Sequence, residues 1–166
     1  VDEALRIERR LASSDGESGP DDPRRFATLM SAARLAMMIE GAQASADGKL
    51  RAALEQQLKR TGLFGGPVTW RIVVWEDLAA PLSVSALLDG QPFVPREILL
   101  AGTVGLIALD LGERAPEGLL FDVVMGMSLR REVPFRIIDI AYDGKKFSCG
   151  ISTSRISTDA LTVAVN

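Results

Sequence analysis

The hydrophobic pattern of this chain changes its period once, at Gly65-Gly66-Pro67. On the N-terminal side, apolar residues recur about every 3.6 residues, which is the repeat of an α-helix. On the C-terminal side they alternate with polar residues, which is the repeat of a β-strand with one buried face. Because Gly and Pro interrupt both kinds of element, this tripeptide marks a boundary. The pattern predicts an α+β protein whose helices precede its strands.

The helical part is predicted to contain three segments. Residues 1–12 form a short helix with a weak apolar stripe, and residues 13–22 form an acidic, Gly/Ser-rich flexible linker. Residues 23–62 form a helical hairpin. Its two helices are predicted from Pro23 to about Ser45 and from Lys49 to Arg60.

Capping residues support the ends of this hairpin. Asp22 followed by Pro23 combines a capping side chain with a first-turn proline, which is typical of a helix start. Gly62 follows the second helix and is suited to a C-terminal cap.

The β-rich part, residues 67–166, contains alternating runs bounded by turn signals. Asp89-Gly90 and Asp143-Gly144 are hairpin-type turns. The predicted strands are Val68–Trp75, Ser83–Leu88, two short strands within Arg96–Leu111, Leu119–Leu129, Pro134–Tyr142, a strand from Phe147, and one through Leu161, Val163 and Val165. The two strands within Arg96–Leu111 are separated by a bend near Gly102–Gly105. For Arg96–Leu111, two strands are preferred over one buried helix because β-branched residues and glycines interrupt the run. These runs predict an antiparallel β-barrel or sandwich of about six to eight strands.

The composition argues against several classes of site. Without a histidine, the chain lacks the commonest general base and metal ligand, and cannot form Ser-His or Cys-His pairs. Its net charge of −3 gives no basic field for nucleic acid. No run of about 18 apolar residues predicts a membrane span. The single cysteine, Cys149, excludes an intramolecular disulfide and fits a reducing, cytoplasmic location. We therefore expect a protein that is not an enzyme and holds no metal or cofactor.

Four carboxylates on the predicted strands and turns are the main candidates for acid–base chemistry: Asp122, Asp139, Asp143 and Asp159. General acid–base catalysis needs two carboxyl groups facing one cavity, and no recognisable motif pairs these residues. Asp89 and Asp143 are predicted to form turns. Cys149 alternates with Phe147 and Ile151, which favours a small core residue over a thiolate nucleophile. A small enzyme or ligand-binding barrel that uses carboxylates and arginines remains an alternative.

Three arginines lie close together in the C-terminal part: Arg130, Arg131 and Arg136. Guanidinium groups bind phosphate oxygens in a bidentate manner and stack on purines, so such a cluster can hold a nucleotide. The alternative is a solvated loop in which these arginines pair locally with Glu132.

The segment from Leu129 to Val165 resembles the PilZ domain, a bacterial barrel that binds cyclic di-GMP. Arg130-Arg131 stand where the family has its first arginine element, and Phe147–Ile151 resembles the second strand of its hairpin. Arg155–Ala160 resembles the family's second element, with Ser157 at its serine. The resemblance implies a ligand site formed by Arg130, Arg131, Arg136, Arg155 and Ser157.

The same segment departs from the family pattern at several positions. Pro134 and Phe135 stand where a second arginine is expected. Arg155 replaces an acidic or amide residue, and Ala160 replaces a glycine. The resemblance therefore implies the barrel more strongly than it implies the cyclic dinucleotide.

The first long helix carries an apolar stripe that is wider than a surface helix needs. We expect one side of it to pack within the domain and the other to form a homodimer or partner interface. The predicted interface residues are Phe26, Met30, Met37 and Met38. Packing of the whole stripe on the sheet is the alternative.

These observations predict a bacterial, non-catalytic regulatory or scaffolding module. It self-associates through its helices and binds an unidentified partner protein through its β domain. The alternatives are a cyclic di-GMP receptor of PilZ type, a small histidine-free enzyme or ligand-binding barrel, and a subunit of a secretion, motility or phage assembly.

Overall fold

The structure, a computed structural model, describes five stretches of the chain: residues 23–42, 48–76, 81–125, 132–157 and 162–164. Within them, two helices precede nine strands, two of which are only three residues long. The strands form two antiparallel sheets. The predicted order of helices and antiparallel strands is confirmed. The predicted helix 1–12 and linker 13–22 lie outside the described residues.

The two helices begin and end close to the predicted bounds. Helix α1 spans Pro23–Ala42 and α2 spans Gly48–Arg60. The chain leaves α2 through Gly62, whose positive φ of 79° is the conformation expected of a helix-ending glycine. Helix α1 contacts both α2 and the five-stranded sheet, so its apolar residues are covered on two sides. This explains why its stripe is wider than that of a surface helix.

Five strands form the sheet that carries the helices. Its spatial order is β4-β5-β1-β7-β8. The strands are β1 (Val68–Trp75), β4 (Glu97–Ala101), β5 (Val104–Gly112), β7 (Glu132–Tyr142) and β8 (Phe147–Ser157). Strand β1 is central, and it pairs with two strands that come much later in the sequence.

Four strands form the second sheet, in the order β3-β2-β6-β9. They are β2 (Pro81–Leu88), β3 (Gln91–Phe93), β6 (Leu119–Met125) and β9 (Thr162–Ala164). A short 3-10 turn, Pro116–Gly118, precedes β6. Residues 126–129 of the predicted strand Leu119–Leu129 lie outside the described residues.

The two faces of β1 contribute to two different hydrophobic cores. Trp70, Ile72 and Val74 lie in the core beneath the helices. Val73 and Trp75 lie in a second core that contains residues from both sheets. The five-stranded sheet therefore separates a helix-side core from an inter-sheet core. Since both faces are buried, seven of the eight residues of β1 are buried.

The predicted turns are present. Asp89 and Gly90 have φ values of 53° and 80°, which is the left-handed backbone of a tight hairpin turn. Gly144, with a φ of 98°, forms the turn between β7 and β8. Between β4 and β5 the chain turns at Gly102–Thr103, so the two-strand reading of Arg96–Leu111 is confirmed.

Strand β2 begins at Pro81 rather than Ser83, strand β3 was not predicted, and β7 and β8 are longer than expected. Strand β7 begins at Glu132, two residues before the predicted Pro134. Strand β8 continues to Ser157, so Arg155 and Ser157 lie inside a strand rather than in a separate element after it. The reason is an uninterrupted ladder with β7 that extends from Tyr142↔Phe147 to Glu132↔Ser157.

Candidate functional site

The predicted arginine cluster is only partly described. Arg130 and Arg131 lie outside the described residues. Arg136 lies within β7 and is exposed. Its Nη1 is 3.8 Å from Oε1 of Glu76, and both side chains are largely in solvent. An exposed pair at this distance contributes little to stability, so it leaves the Arg136 guanidinium accessible to other groups.

The β7–β8 ladder brings three of the predicted ligand residues to one end of the sheet. Arg136 is paired with Thr153, Pro134 with Arg155, and Glu132 with Ser157. Arg155 and Ser157 are two and four positions from Thr153, and therefore lie on the same face of the ladder as Arg136. The backbone thus groups Arg136, Arg155 and Ser157, which sequence spacing alone places about twenty residues apart.

The four predicted interface residues of α1 have different environments. Met30 is only 7% exposed and belongs to the helix-side core. Phe26 and Met37 are partly buried against the same core. Met38 is 54% exposed. Because α1 lies between α2 and the sheet, most of its stripe packs within the chain, and Met38 is the one of the four with a largely exposed side chain.

Asp139, one of the four candidate carboxylates, forms an ion pair with Arg71. The guanidinium donates from Nε to Oδ1 at 2.6 Å and from Nη2 to Oδ2 at 2.7 Å. Arg71 lies on the face of β1 that contributes to the inter-sheet core, and its side chain is almost fully buried. Strand alternation places Arg71 on the same face as Val73 and Trp75, but no sequence spacing indicates that Asp139 binds it.

The other candidate carboxylates have simpler environments. Backbone N–H groups of Lys146 and Lys145 both donate to Oδ1 of Asp143 at 2.7 Å, and these bonds hold the pKa of Asp143 below its ordinary value. Asp143 therefore forms the predicted turn. Asp122 is described only as a position on β6, and Asp159 lies outside the described residues. No two of the candidate carboxylates are shown facing one cavity.

A second ion pair, also missed at the level of sequence, joins α1 to β4. Nε of Arg25 donates to both carboxylate oxygens of Glu97, at 2.7 and 2.9 Å. The same guanidinium lies 5.7 Å from the centre of the Trp70 ring, within range of a cation–π contact. These contacts fix the start of α1 over the sheet.

Cys149 packs against the helix-side core beside Phe147. Burial raises the pKa of its thiol to about 12, despite the opposing effect of the nearby Arg51 guanidinium. The thiol is therefore protonated at neutral pH and is a poor nucleophile. Cys149 is thus a partly buried residue that packs against the core, next to the buried Phe147.

A polar groove lies between the first half of α1 and the end of α2. Its volume is about 370 Å³, and it is lined by Ala27, Thr28, Ser31, Gln57, Arg60 and Thr61. Arg60 is the only charged residue in the lining, so the groove has no acid–base pair. Across the described stretches, no three His, Cys, Asp or Glu residues come together as metal ligands, and neither helix is long and apolar enough to cross a membrane.

The outer face of the four-stranded sheet carries an exposed apolar pair. Leu87 on β2 lies directly opposite Leu120 on β6, and each is 42% exposed. Their neighbours Ala86, Leu88, Leu119 and Phe121 point the other way, into the inter-sheet core. Pro92 on β3 is paired with Leu87 and is also exposed, so the apolar surface extends across three strands.

No family model, curated protein or solved structure matches the chain.

Proposed function

We propose that this protein is a non-catalytic regulatory or scaffolding module that self-associates and binds a partner protein through its β domain. The observation that carries the proposal is the exposed pair of Leu87 and Leu120 on the outer face of the four-stranded sheet. Contiguous exposed apolar surface on a β-sheet is typical of a protein-binding site. We take the two sheets to form an open sandwich, since they share one core and their described edge strands do not pair with each other.

The environments of the reactive groups support a non-catalytic role. Arg71, Asp139, Arg25 and Glu97 form ion pairs within the fold. The Cys149 thiol is held in its protonated form. We place the module in the bacterial cytoplasm, where its single free cysteine would stay reduced.

The test of partner binding uses the double variant Leu87→Ser/Leu120→Ser. We expect that proteins which cross-link to the wild type in a cell extract no longer cross-link to this variant, because the apolar pair is gone. The variant should still fold, because neither leucine lies in the core. The matched control is Met38→Ser, which removes an exposed apolar side chain from α1 instead. Recovery of the same proteins with both variants would contradict the proposal.

A cyclic di-GMP receptor is the second candidate. The observation in its favour is the grouping of Arg136, Arg155 and Ser157 at one end of the β7–β8 ladder. Titration calorimetry with cyclic di-GMP tests it, with Arg136→Ala expected to weaken binding and Arg34→Ala, which removes an exposed arginine from α1, expected to leave it unchanged. Heat equal to that of buffer at tens of micromolar protein would exclude this function.

A further inference from the structure

The outer edge of β8 differs from the other sheet edges. Four strands lie at the ends of the two sheets: β3, β4, β8 and β9. Natural proteins keep such edges short, or protect them with charges, proline or bulges, because an unpaired edge can pair with another chain. Strands β3 and β9 are three residues long, and β3 contains Pro92. Strand β4 has five residues and begins at Glu97.

Strand β8 has fewer of these protections. It is eleven residues long and contains no proline, lysine or acidic residue. Its ladder with β7 has no bulge. Its one charged residue, Arg155, stands near the end of the strand. Strand β8 is therefore the longest and least protected edge strand within the described part of the chain.

The structure shows which backbone groups of β8 point away from β7. The N–H of Asp143 donates to the carbonyl of Lys146, so the next pair, Tyr142 and Phe147, is a non-hydrogen-bonded pair. The carbonyl of Phe147 instead accepts a hydrogen bond from Nη2 of Arg51, at 3.0 Å, which places it on the outer edge. By alternation, the N–H and C=O groups of Cys149, Ile151 and Thr153 point outward too, and the ladders of the described strands give them no partner.

The middle of this edge is open to solvent. Ile151 is 36% exposed, and Ser152 and Thr153 are exposed on either face of the strand. The helices cover the start of β8, where Phe147 is buried and Cys149 partly so. The accessible part of the edge is therefore centred on Ile151.

We infer that β8 pairs antiparallel with β8 of a second copy, with Ile151 on the two-fold axis. This inference rests on the self-association in the proposed function and places its interface at the sheet edge, whereas the sequence pattern predicted it on the first long helix. In this register the outward groups of Ile151 meet their own copies, and Cys149 lies opposite Thr153. The pairing covers residues 149–153, since Arg51 already binds the carbonyl of Phe147, and the two Arg155 residues lie beyond its opposite ends. A symmetric pair of this kind is self-complementary and closed.

The first experiment compares two lysine variants of the full chain by sedimentation equilibrium. We expect the wild type and Met38→Lys to be dimers. In Ile151→Lys the dissociation constant of the dimer should rise more than about tenfold, so that this variant is a monomer. Both positions are exposed, and circular dichroism verifies that each variant is folded. If Met38→Lys is a monomer and Ile151→Lys a dimer, pairing at the β8 edge is contradicted and self-association takes place through α1. A monomeric wild type would remove self-association altogether.

The second experiment does not depend on weakening the interface. In a Cys149→Ser background, Ile151→Cys places two cysteines across the axis with Cα atoms about 5.5 Å apart, within the range of a disulfide. We expect a cross-linked dimer on mild oxidation. The control is Ser148→Cys, an exposed position on the same strand whose copy lies far from it in this register. Equal cross-linking of the two variants, or of neither, would contradict the inferred pairing.

Discussion

The guanidinium of Arg71 on β1 and the carboxylate of Asp139 on β7 form a bidentate pair between two neighbouring strands. The Arg71 side chain is 3% exposed, whereas that of Asp139 is 28% exposed. The Arg71 guanidinium is therefore inside the protein, while the Asp139 carboxylate is partly exposed to solvent. Burial of a charge is costly unless the charge is paired, so the pair specifies how β1 and β7 meet more than it adds net stability.

Asp139→Asn is expected to lower the free energy of unfolding by about 3 kcal/mol, because it removes the charged carboxylate that binds the buried Arg71 guanidinium in a bidentate manner. Urea denaturation measures this change. The double variant Arg71→Met/Asp139→Leu removes both charges of this pair and should recover part of the loss. The control is Glu76→Gln at the exposed Arg136 pair, which should cost less than about 0.5 kcal/mol. Equal losses at Asp139 and Glu76 would contradict the assigned importance of the buried pair.

Gly105→Ala is expected to destabilise the protein by about 1–3 kcal/mol. A Cβ at position 105 would overlap the indole ring of Trp75, which lies across Gly105 in the β1–β5 ladder. Thermal unfolding measures the loss, and tryptophan fluorescence should report displacement of the ring. Gly150→Ala on β8 is the matched control, since a Cβ there meets no atom within 4 Å. If Gly105→Ala unfolds at the same temperature as the wild type, the Trp75 ring does not pack closely against Gly105.

The Cys149 thiol is expected to make stability depend on pH in the alkaline range. Its pKa is about 12 in the folded protein, against an ordinary value of 9.0. Above about pH 9 the unfolded chain loses this proton while the folded chain keeps it, so stability is full below that pH and falls as the pH rises towards 12. Denaturation at several alkaline pH values measures the fall, and Cys149→Ala should reduce it. The folded wild type should also react slowly with thiol reagents at neutral pH; rapid modification without unfolding would show that the thiol is accessible.

Asp143 is expected to stabilise the β7–β8 turn in its charged form. Hydrogen bonds from the backbone of Lys146 and Lys145 lower its pKa below 3.8. Its contribution is therefore present above the unfolded value and is lost as the pH falls through the lower folded value. Asp143→Asn should be less stable than the wild type at about pH 7, and the difference should shrink as the pH falls below 3.8. A difference that stays constant across this range would mean that the charge plays no part.

The alternation of side chains along the predicted strand Val68–Trp75 corresponds to two faces of β1 that the structure buries in different cores. Trp70 and Ile72 pack beneath the helices, and Val73 and Trp75 pack between the sheets. The pattern could not predict how Arg71 would be accommodated. The partner is 68 residues away, and no local spacing identifies it.

For α1, the sequence pattern identified the apolar residues but not what covers each of them. Helical spacing identified Met30 and Met38 as parts of one broad stripe, but spacing does not reveal which neighbour covers each side. The fold buries Met30 under the sheet and leaves Met38 in solvent. Similarly, the strand pattern predicted that β8 follows the Asp143-Gly144 turn, while its extension to Ser157 depends on the length of β7.

The central position of β1 has a consequence for how the chain reaches this structure. Its two ladder partners, Val104–Gly112 and Glu132–Tyr142, are synthesised after it. While residues 68–103 leave the ribosome, both edges of β1 lack these partners, and the sheet on which α1 rests cannot form. The helix-side core can close only when the chain has been made to about Phe147. Such distant pairings make folding slow relative to helical proteins, and they delay closure of this core until β8 has begun to be synthesised.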